Sequence, residues 1–291
     1  MSKSPGRDGT GAADAATIRR FYAEIVVPIH VADRDRLVNA FAAVPRERYV
    51  GPGPWHVLLG DDRYVVTPSD DLAFLYQDQL VALAKKRGIN NGSPSAHALW
   101  LAALAPRAGE TVVHVGCGTG YYTAVLRELV GPSATVVAYE VAADLADRAA
   151  ANLAHFGNVR VLARSALATE LPACDVLYVN AAVTDLPNGW LDALRPGARL
   201  MAPLTPKDAW GGMLLVTHRT AGSFDARFVS RAMFIGCTGA VNEDSSTRLA
   251  AAFEAGNEDQ VRGLRRGRTA DSTCWYAAAE WWLSTTPHRE L

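Results

Sequence analysis

Three glycines fall within five residues, Gly116, Gly118 and Gly120, between the apolar run Val112–Val115 and the run Tyr121–Val130, which suits a helix. A strand passing through such a turn into a helix can bring its backbone close to a ligand with no Cβ in the way. The helix start then aims N–H groups that lack intrahelical partners at whatever lies above the turn. Twenty residues after Gly120, a second apolar run, Thr135–Tyr139, ends in Glu140. A carboxylate there can accept both hydroxyls of a ribose. The chemistry these residues suit is the holding of a nucleoside.

The spacing bears on which nucleoside. A dinucleotide fingerprint reads G-x-G-x-x-G, its third glycine allowing close helix packing beside a pyrophosphate. Here the third glycine comes one residue early, and Tyr121 stands where that fingerprint has glycine. G-x-G-x-G is the usual form where S-adenosylmethionine (SAM) is bound and no pyrophosphate is held. A structural glycine turn with no ligand is the plainer alternative, and it leaves Glu140 without a role.

The elements around these residues read as βα alternation. Strands are predicted at Val112–Val115, Thr135–Tyr139, Val159–Ala163, Asp175–Asn180 and Arg199–Pro203, with helices at Tyr121–Val130 and Ala143–Phe156 and a short one near Trp190–Leu194. The turn Arg195-Pro196-Gly197 precedes the fifth strand. Such alternation implies a mostly parallel, doubly wound α/β sheet with its ligand at the carboxyl ends of the strands. Met213–His218 and Arg227–Ile235, around Thr220–Ser223, read as two antiparallel strands closing one edge and completing a seven-stranded, Rossmann-like sheet. Ahead of the core, helices are expected at residues 17–26, stopped by Pro28, and at 33–44 with Asp33 as cap. Leu72–Lys86 is extended or helical, and Ser93-Pro94 opens a helix through Leu104. The chain therefore divides into a disordered lead-in (1–16), a helical, substrate-side segment (17–110), the nucleoside-binding core (111–238) and a C-terminal extension (239–291).

Bulk composition excludes several classes. The 291 residues are 49% hydrophobic and 20% charged, enough for a large core, and the net charge of −1 gives no nucleic-acid footprint. Four scattered cysteines (Cys117, Cys174, Cys237, Cys274) with no C-x-x-C pair argue against a disulfide framework or a zinc site. Without a membrane-length apolar run or a signal core, the expected location is the cytoplasm, away from membranes.

Three segments carry a family resemblance over about residues 17–235. Val44-Pro45-Arg46-Glu47-Arg48-Tyr49-Val50 resembles the N-terminal Val-Pro-Arg-Glu-x-Phe/Tyr-Val of the protein-L-isoaspartate O-methyltransferases. Gly116-Cys117-Gly118-Thr119-Gly120-Tyr121-Tyr122-Thr123-Ala124 is similar to that family's cofactor loop. Asp175–Ala182, followed by Leu194-Arg195-Pro196-Gly197-Ala198-Arg199-Leu200 and a strand ending in Pro203, resembles its fourth and fifth strands. The resemblance implies binding of SAM, released as S-adenosyl-L-homocysteine (SAH), and methylation of a carboxylate on a protein or peptide. It implies a cofactor site built from His114, Gly116, Cys117, Gly118, Gly120, Tyr121, Glu140, Val141, Ser165, Ala166 and Asn180. Ser93 is the implied catalytic residue, with Ser93, His97 and Ala181 on the acceptor side. The chain departs from the family in three places. His114 replaces an acidic residue that helps to anchor the methionine amino group. Arg164-Ser165-Ala166 replaces Gly-Asp-Gly at the adenine. Gly92-Ser93-Pro94-Ser95-Ala96-His97 matches the family's Ile-Ser-x-Pro segment only in part, with its register off by about one residue.

A carboxylate acceptor has a pKa near 4 and is already ionised at pH 7, so no Ser-His-Asp or Cys-His arrangement is needed. Each singled-out residue also has a plainer reading. Ser93 is a helix cap, His97 a packed histidine, Cys117 inert and Asn180 the end of a core strand. The arginines of 262–268 form a solvated basic surface, and Trp275, Tyr276, Trp281 and Trp282 tie down the tail. The rival functions are tailoring of a peptide natural product, methylation of a small metabolite, nicotinamide-dependent oxidoreduction, and SAM binding without turnover.

Overall fold

Residues 14–60, 63–219, 223–267 and 269–287 are described by a computed structural model. Of the lead-in 1–16, residues 1–13 lie outside them, as do 220–222 of the Thr220–Ser223 turn and Arg268. The chain opens with helix α1 (Ala15–Val26), capped by Asp14, whose carboxylate accepts the Thr17 N–H at 2.8 Å. Helix α2 (Arg34–Ala43) follows. Asp33 precedes it in the left-handed region and makes no side-chain cap bond, contrary to the expectation from its residue type. Helix α3 (Arg46–Val50), the hairpin β1 (His56–Leu58) and β2 (Tyr64–Val66), the single turn α4 (Leu72–Leu75), and the hairpin β3 (Ala82–Ala84) and β4 (Ile89–Asn90) lead to helix α5 (Pro94–Leu104).

The core then alternates: β5 (Val112–Val115), α6 (Tyr121–Val130), β6 (Val136–Glu140), α7 (Ala143–Leu153), β7 (Val159–Ala163), β8 (Cys174–Val179), α8 (Asn188–Asp192) and β9 (Leu194–Leu204). Strands β10 (Gly211–His218) and β11 (Phe224–Ala232) run antiparallel after them. The parallel order β7-β6-β5-β8-β9, with β10 and β11 beyond, is the expected seven-stranded sheet. Residues 195–198 are a bulge within β9, where the pairing jumps from Cys174–Leu194 to Val176–Arg199. A turn residue inside a strand is what a bulge with a positive-φ glycine, Gly197, permits.

The C-terminal extension carries the sheet further. After α9 (Glu243–Ala255), strands β12 (Gly263–Arg266), β13 (Cys274–Ala277) and β14 (Trp281–Ser284) add to β11 in the order β12-β14-β13, giving ten strands among the described residues. Trp281, Trp282 and Tyr276 are buried there, and Trp275 packs edge-to-face on Phe228 and Phe253. The aromatic residues thus pin the extension to the core. Arg266 pairs with Asp192 at 2.6 Å, and Arg265 donates to the Thr286 and Pro287 carbonyls.

Side chains alternate across the sheet as strand geometry requires. Val112, Val136 and Tyr178 face the layer formed by α1, α2, α5, α6 and α7. Val113, Leu177 and Leu200 face α8, α9 and the extension. Covering both faces buries the central parallel strands β5 and β8 and leaves the carboxyl ends of the sheet as the place for a ligand. No helix of the described residues is long and apolar enough to cross a membrane.

Candidate active site

At the carboxyl end of β5 the chain turns sharply, and the N–H groups of Gly116 and Cys117 both donate to the Tyr139 carbonyl on β6, at 2.9 and 3.1 Å. This ties the glycine loop to the next strand. Gly116 has φ +74, and a Cβ there would stand 3.2 Å from the Asn180 carbonyl oxygen. Gly120 has φ +96, and its Cβ would lie 2.7 Å from Leu153 Cδ1 on α7. The third glycine therefore does serve helix packing, although it sits one place earlier than in a dinucleotide loop. Tyr121, expected at the cofactor, turns its buried ring onto Phe41 and Tyr49 and locks α6 to the N-terminal helices.

Glu140 ends β6, only 8% exposed. Its Oε2 accepts the Gly118 N–H at 2.8 Å and its Oε1 the Ala142 N–H at 3.0 Å. Each oxygen keeps a lone pair, so the carboxylate braces the glycine loop and can still accept a ribose diol. Its charge reaches Cys117 and Cys237. Burial, and after it this charge, pushes the Cys117 thiol upward and the Cys237 thiol to about 11. Cys117 is therefore an unreactive thiol, and the loop uses its backbone. Val141, next in the chain, is 52% exposed beside this carboxylate. Ser165 Oγ accepts the Leu167 N–H at 3.1 Å, and Ala166 is buried with its carbonyl 3.3 Å from Trp190 Nε1.

His114 and His97 both lie below the surface. His114 is fully buried, with Nδ1 2.8 Å from Thr123 Oγ1 and Nε2 2.9 Å from Asn180 Nδ2. Desolvation pushes its imidazole down to about 3, so it is neutral. His97, expected on the acceptor side, stacks on Tyr122 at 3.6 Å and bonds Tyr178 Oη at 2.6 Å. Burial holds its pKa well below the usual imidazole range. It is a packed histidine under Gly92, where a Cβ would stand 2.3 Å from its Nε2. Asn180 follows β8, and Ala181 Cβ is 3.5 Å from the position of a Gly116 Cβ, so both border the loop.

Ser93 is the cap of α5, as its plainer reading has it. Its Oγ caps α5, 3.5 Å from the Ala96 N–H, and donates to Asp78 at 3.2 Å. Asp78, missed in the sequence, also accepts from Ser95 N at 2.9 Å and Ser95 Oγ at 2.5 Å. The segment that carries Asp78 is held by Arg46, which is 0% exposed. Arg46 donates to the carbonyls of Leu75, Gln77 and Gln79 at 2.7, 2.8 and 2.6 Å. Further along, Leu83 Cδ1 reaches within 3.3 Å of where a Gly118 Cβ would be. Arg148 donates to the Leu83 carbonyl at 3.2 Å, and Arg87 pairs with Asp144 at 2.5 Å. The segment 75–92 thus lies across the glycine loop, fastened at both flanks.

Bare glycine backbone, a buried carboxylate at the end of the second strand and a buried carbonyl, Asn180 Oδ1, unpartnered among the described residues, fit a nucleoside that bears an amino-acid arm. Together with the strand order, they define a SAM-dependent methyltransferase of the Rossmann-like class. Residues 27–242, well over half of the chain, match the family model of protein-L-isoaspartate(D-aspartate) O-methyltransferase. The chain belongs to that family, whose members transfer a methyl group from SAM to a protein carboxylate. It is 31% identical over 175 residues to the Methanopyrus kandleri protein-L-isoaspartate O-methyltransferase, covering 58% of this chain and 69% of the relative. To the Rhodopseudomonas palustris enzyme it is 30% identical over 211 residues, covering 70% and 82%. A solved protein-L-isoaspartate O-methyltransferase shares the fold with TM-score 0.61 at 19% identity, over 91% of this chain and 87% of that one. A Plasmodium falciparum structure of a protein-L-isoaspartate O-methyltransferase in complex with SAH gives 0.59 at 18% identity, over 75% and 97%.

Proposed function

We propose that this methyltransferase acts on an isoaspartyl carboxylate in a protein or peptide, in the cytoplasm and without nucleic-acid or membrane partners. The observation that carries this reading is the grip of Arg46 on the segment of Asp78 and Ser93. It gives the family's Val-Pro-Arg-Glu motif a structural task on the acceptor side. The near-zero net charge and the free cysteines, Cys117 and Cys174 buried among them, support the location and the absence of a nucleic-acid partner.

In this reading Gly116–Gly120 cradle the methionine part, Glu140 holds the ribose, and Val141 with Ser165–Ala166 borders the adenine. When bound, SAM supplies an electrophilic methyl group on a sulfonium. The acceptor carboxylate is already anionic, so the chain's residues need only align it and keep water out. His97 and His114, neutral and engaged internally, take no proton in the reaction. Ser93 donates to the arriving carboxylate by giving up Asp78, which Ser95 continues to hold.

Ser93→Ala tests that step. Turnover should fall by about tenfold or more while SAH affinity, read by calorimetry, stays within about twofold. An unchanged kcat would remove Ser93 from the acceptor site. The function itself is tested by mass spectrometry of an isoaspartyl peptide beside its aspartyl twin, each incubated with SAM. A gain of one methyl group on the isoaspartyl peptide alone is expected. Equal methylation of both, or of neither, would overturn isoaspartyl specificity.

A further inference from the structure

Asn180 Oδ1 is shut off from solvent and accepts no hydrogen bond from the described residues, a condition native structures rarely leave unexplained. The His114 ring lies between the Thr123 hydroxyl, 2.8 Å from Nδ1, and the Asn180 NH2, 2.9 Å from Nε2. An amide NH2 only donates, so the imidazole proton sits on Nδ1 and goes to Thr123 Oγ1. That tautomer leaves Nε2 as an acceptor, to which Asn180 Nδ2 donates at 2.9 Å. The carbonyl end of the amide is what remains. Its position is set by the strand. The Asn180 N–H donates to the Val115 carbonyl at 2.8 Å, beside the first glycine of the loop.

We propose that Asn180 Oδ1 accepts a hydrogen bond from the ammonium group of the SAM methionine, with His114 as the positioning residue that holds the NH2 end of the amide. The inference rests on the cofactor site described under the proposed function. A buried neutral imidazole here aims an amide dipole, and no charged side chain at position 114 is required. The relay runs from Thr123 through His114 to Asn180. The Asn180 NH2 can only donate, so the His114 tautomer that serves it carries its proton on Nδ1. A hydrogen bond to a cationic ammonium is of the stronger, charge-assisted kind.

The test is calorimetric titration with two nucleosides, SAH and 5′-methylthioadenosine, which keeps the adenosine and sulfur but lacks the amino-acid arm. Asn180→Ala should weaken SAH by about tenfold or more and leave 5′-methylthioadenosine within about twofold. His114→Leu should show the same split. His114→Gln, whose side-chain carbonyl can accept the Asn180 N–H, should keep SAH within about threefold of the wild type. A merely structural role would weaken both nucleosides together, and that result overturns the proposal. So does an Asn180→Ala protein that binds SAH as tightly as the wild type. A wild-type protein that binds neither nucleoside overturns the cofactor reading itself, an outcome distinct from the other two.

Discussion

Glu140→Ala is expected to lower SAH affinity by about 100-fold, equivalent to about 3 kcal/mol. Two losses combine. The carboxylate accepts from the Gly118 and Ala142 N–H groups, so its removal takes away the brace at Gly118 and the anchor at the start of α7, leaving the loop tied to β6 only through the Tyr139 carbonyl. The ribose hydroxyls lose their acceptor as well. Glu140→Gln separates these effects. Its carbonyl oxygen serves one of the two N–H groups, while its NH2 confronts the other, donor against donor. The Gln variant should therefore bind SAH more weakly than the wild type and more tightly than the Ala variant. Affinity for SAH within about threefold of the wild type in Glu140→Ala would remove this carboxylate from the site.

The cofactor half of the site was legible because its signal is local. A glycine turn between a strand and a helix, and a carboxylate at the next strand end, depend on residues adjacent in sequence. The strands β5 and β7 and the helix α6 matched the expected bounds, since mostly apolar runs with glycine at or near an end leave little choice of period. The acceptor half was less legible. Arg46 was visible as part of a motif, but its partners are backbone carbonyls, which no residue type announces. Asp78 bonds Ser93 and Ser95 across a connection that holds only a short hairpin and one helical turn. His97 reads as a polar residue near a helix start, and only its bond to Tyr178, distant in sequence, shows that it belongs to the interior. The pair His114 and Asn180 carried one readable hint. Two polar side chains stand at the ends of neighbouring apolar strands, where one polar residue needs another.

The extension illustrates a further limit. Its strands are four residues long; β12 pairs with β11 and β14, both many residues away, and β13 joins only through its hairpin with β14. In β12, Leu264 points inward while Arg265 and Arg266 are half-buried, so the segment reads as a basic run. In β14, Trp281 and Trp282 are buried on opposite sides of the strand, which hides the alternation that marks a one-faced strand. Edge strands at a sheet margin are short by habit, and a long exposed edge would invite pairing with another chain. Here the extra strands move the edge from β11 to β13 and seal the apolar face of β9–β11 with Tyr276 and Trp281. The aromatic residues of the tail thus complete the core on the side away from α1–α7.

Arg46→Met is expected to cost about 3 kcal/mol or more, because it strips the hydrogen bonds from one buried and two part-buried carbonyls at once. For a domain of this size that lowers Tm by about 6 °C or more. The guanidinium has no carboxylate partner among the described residues. The carbonyls of Leu75, Gln77 and Gln79 meet its charge, and Tyr22 presents a ring 5.7 Å from its central carbon. Glu47 is engaged elsewhere, with Arg19 at 3.2 Å and with the Tyr76 hydroxyl. Arg46→Lys keeps the charge but offers a point donor where a fork spans three carbonyls, so it should recover only part of the loss. The damage should concentrate in segment 75–92, which limited proteolysis would detect as cleavage there before global unfolding. Because Asp78 and Leu83 ride on this segment, turnover should fall further than SAH affinity in both variants. A Met variant that melts within about 2 °C of the wild type would mean that the segment holds its shape without the arginine, and the motif would then lose its structural explanation.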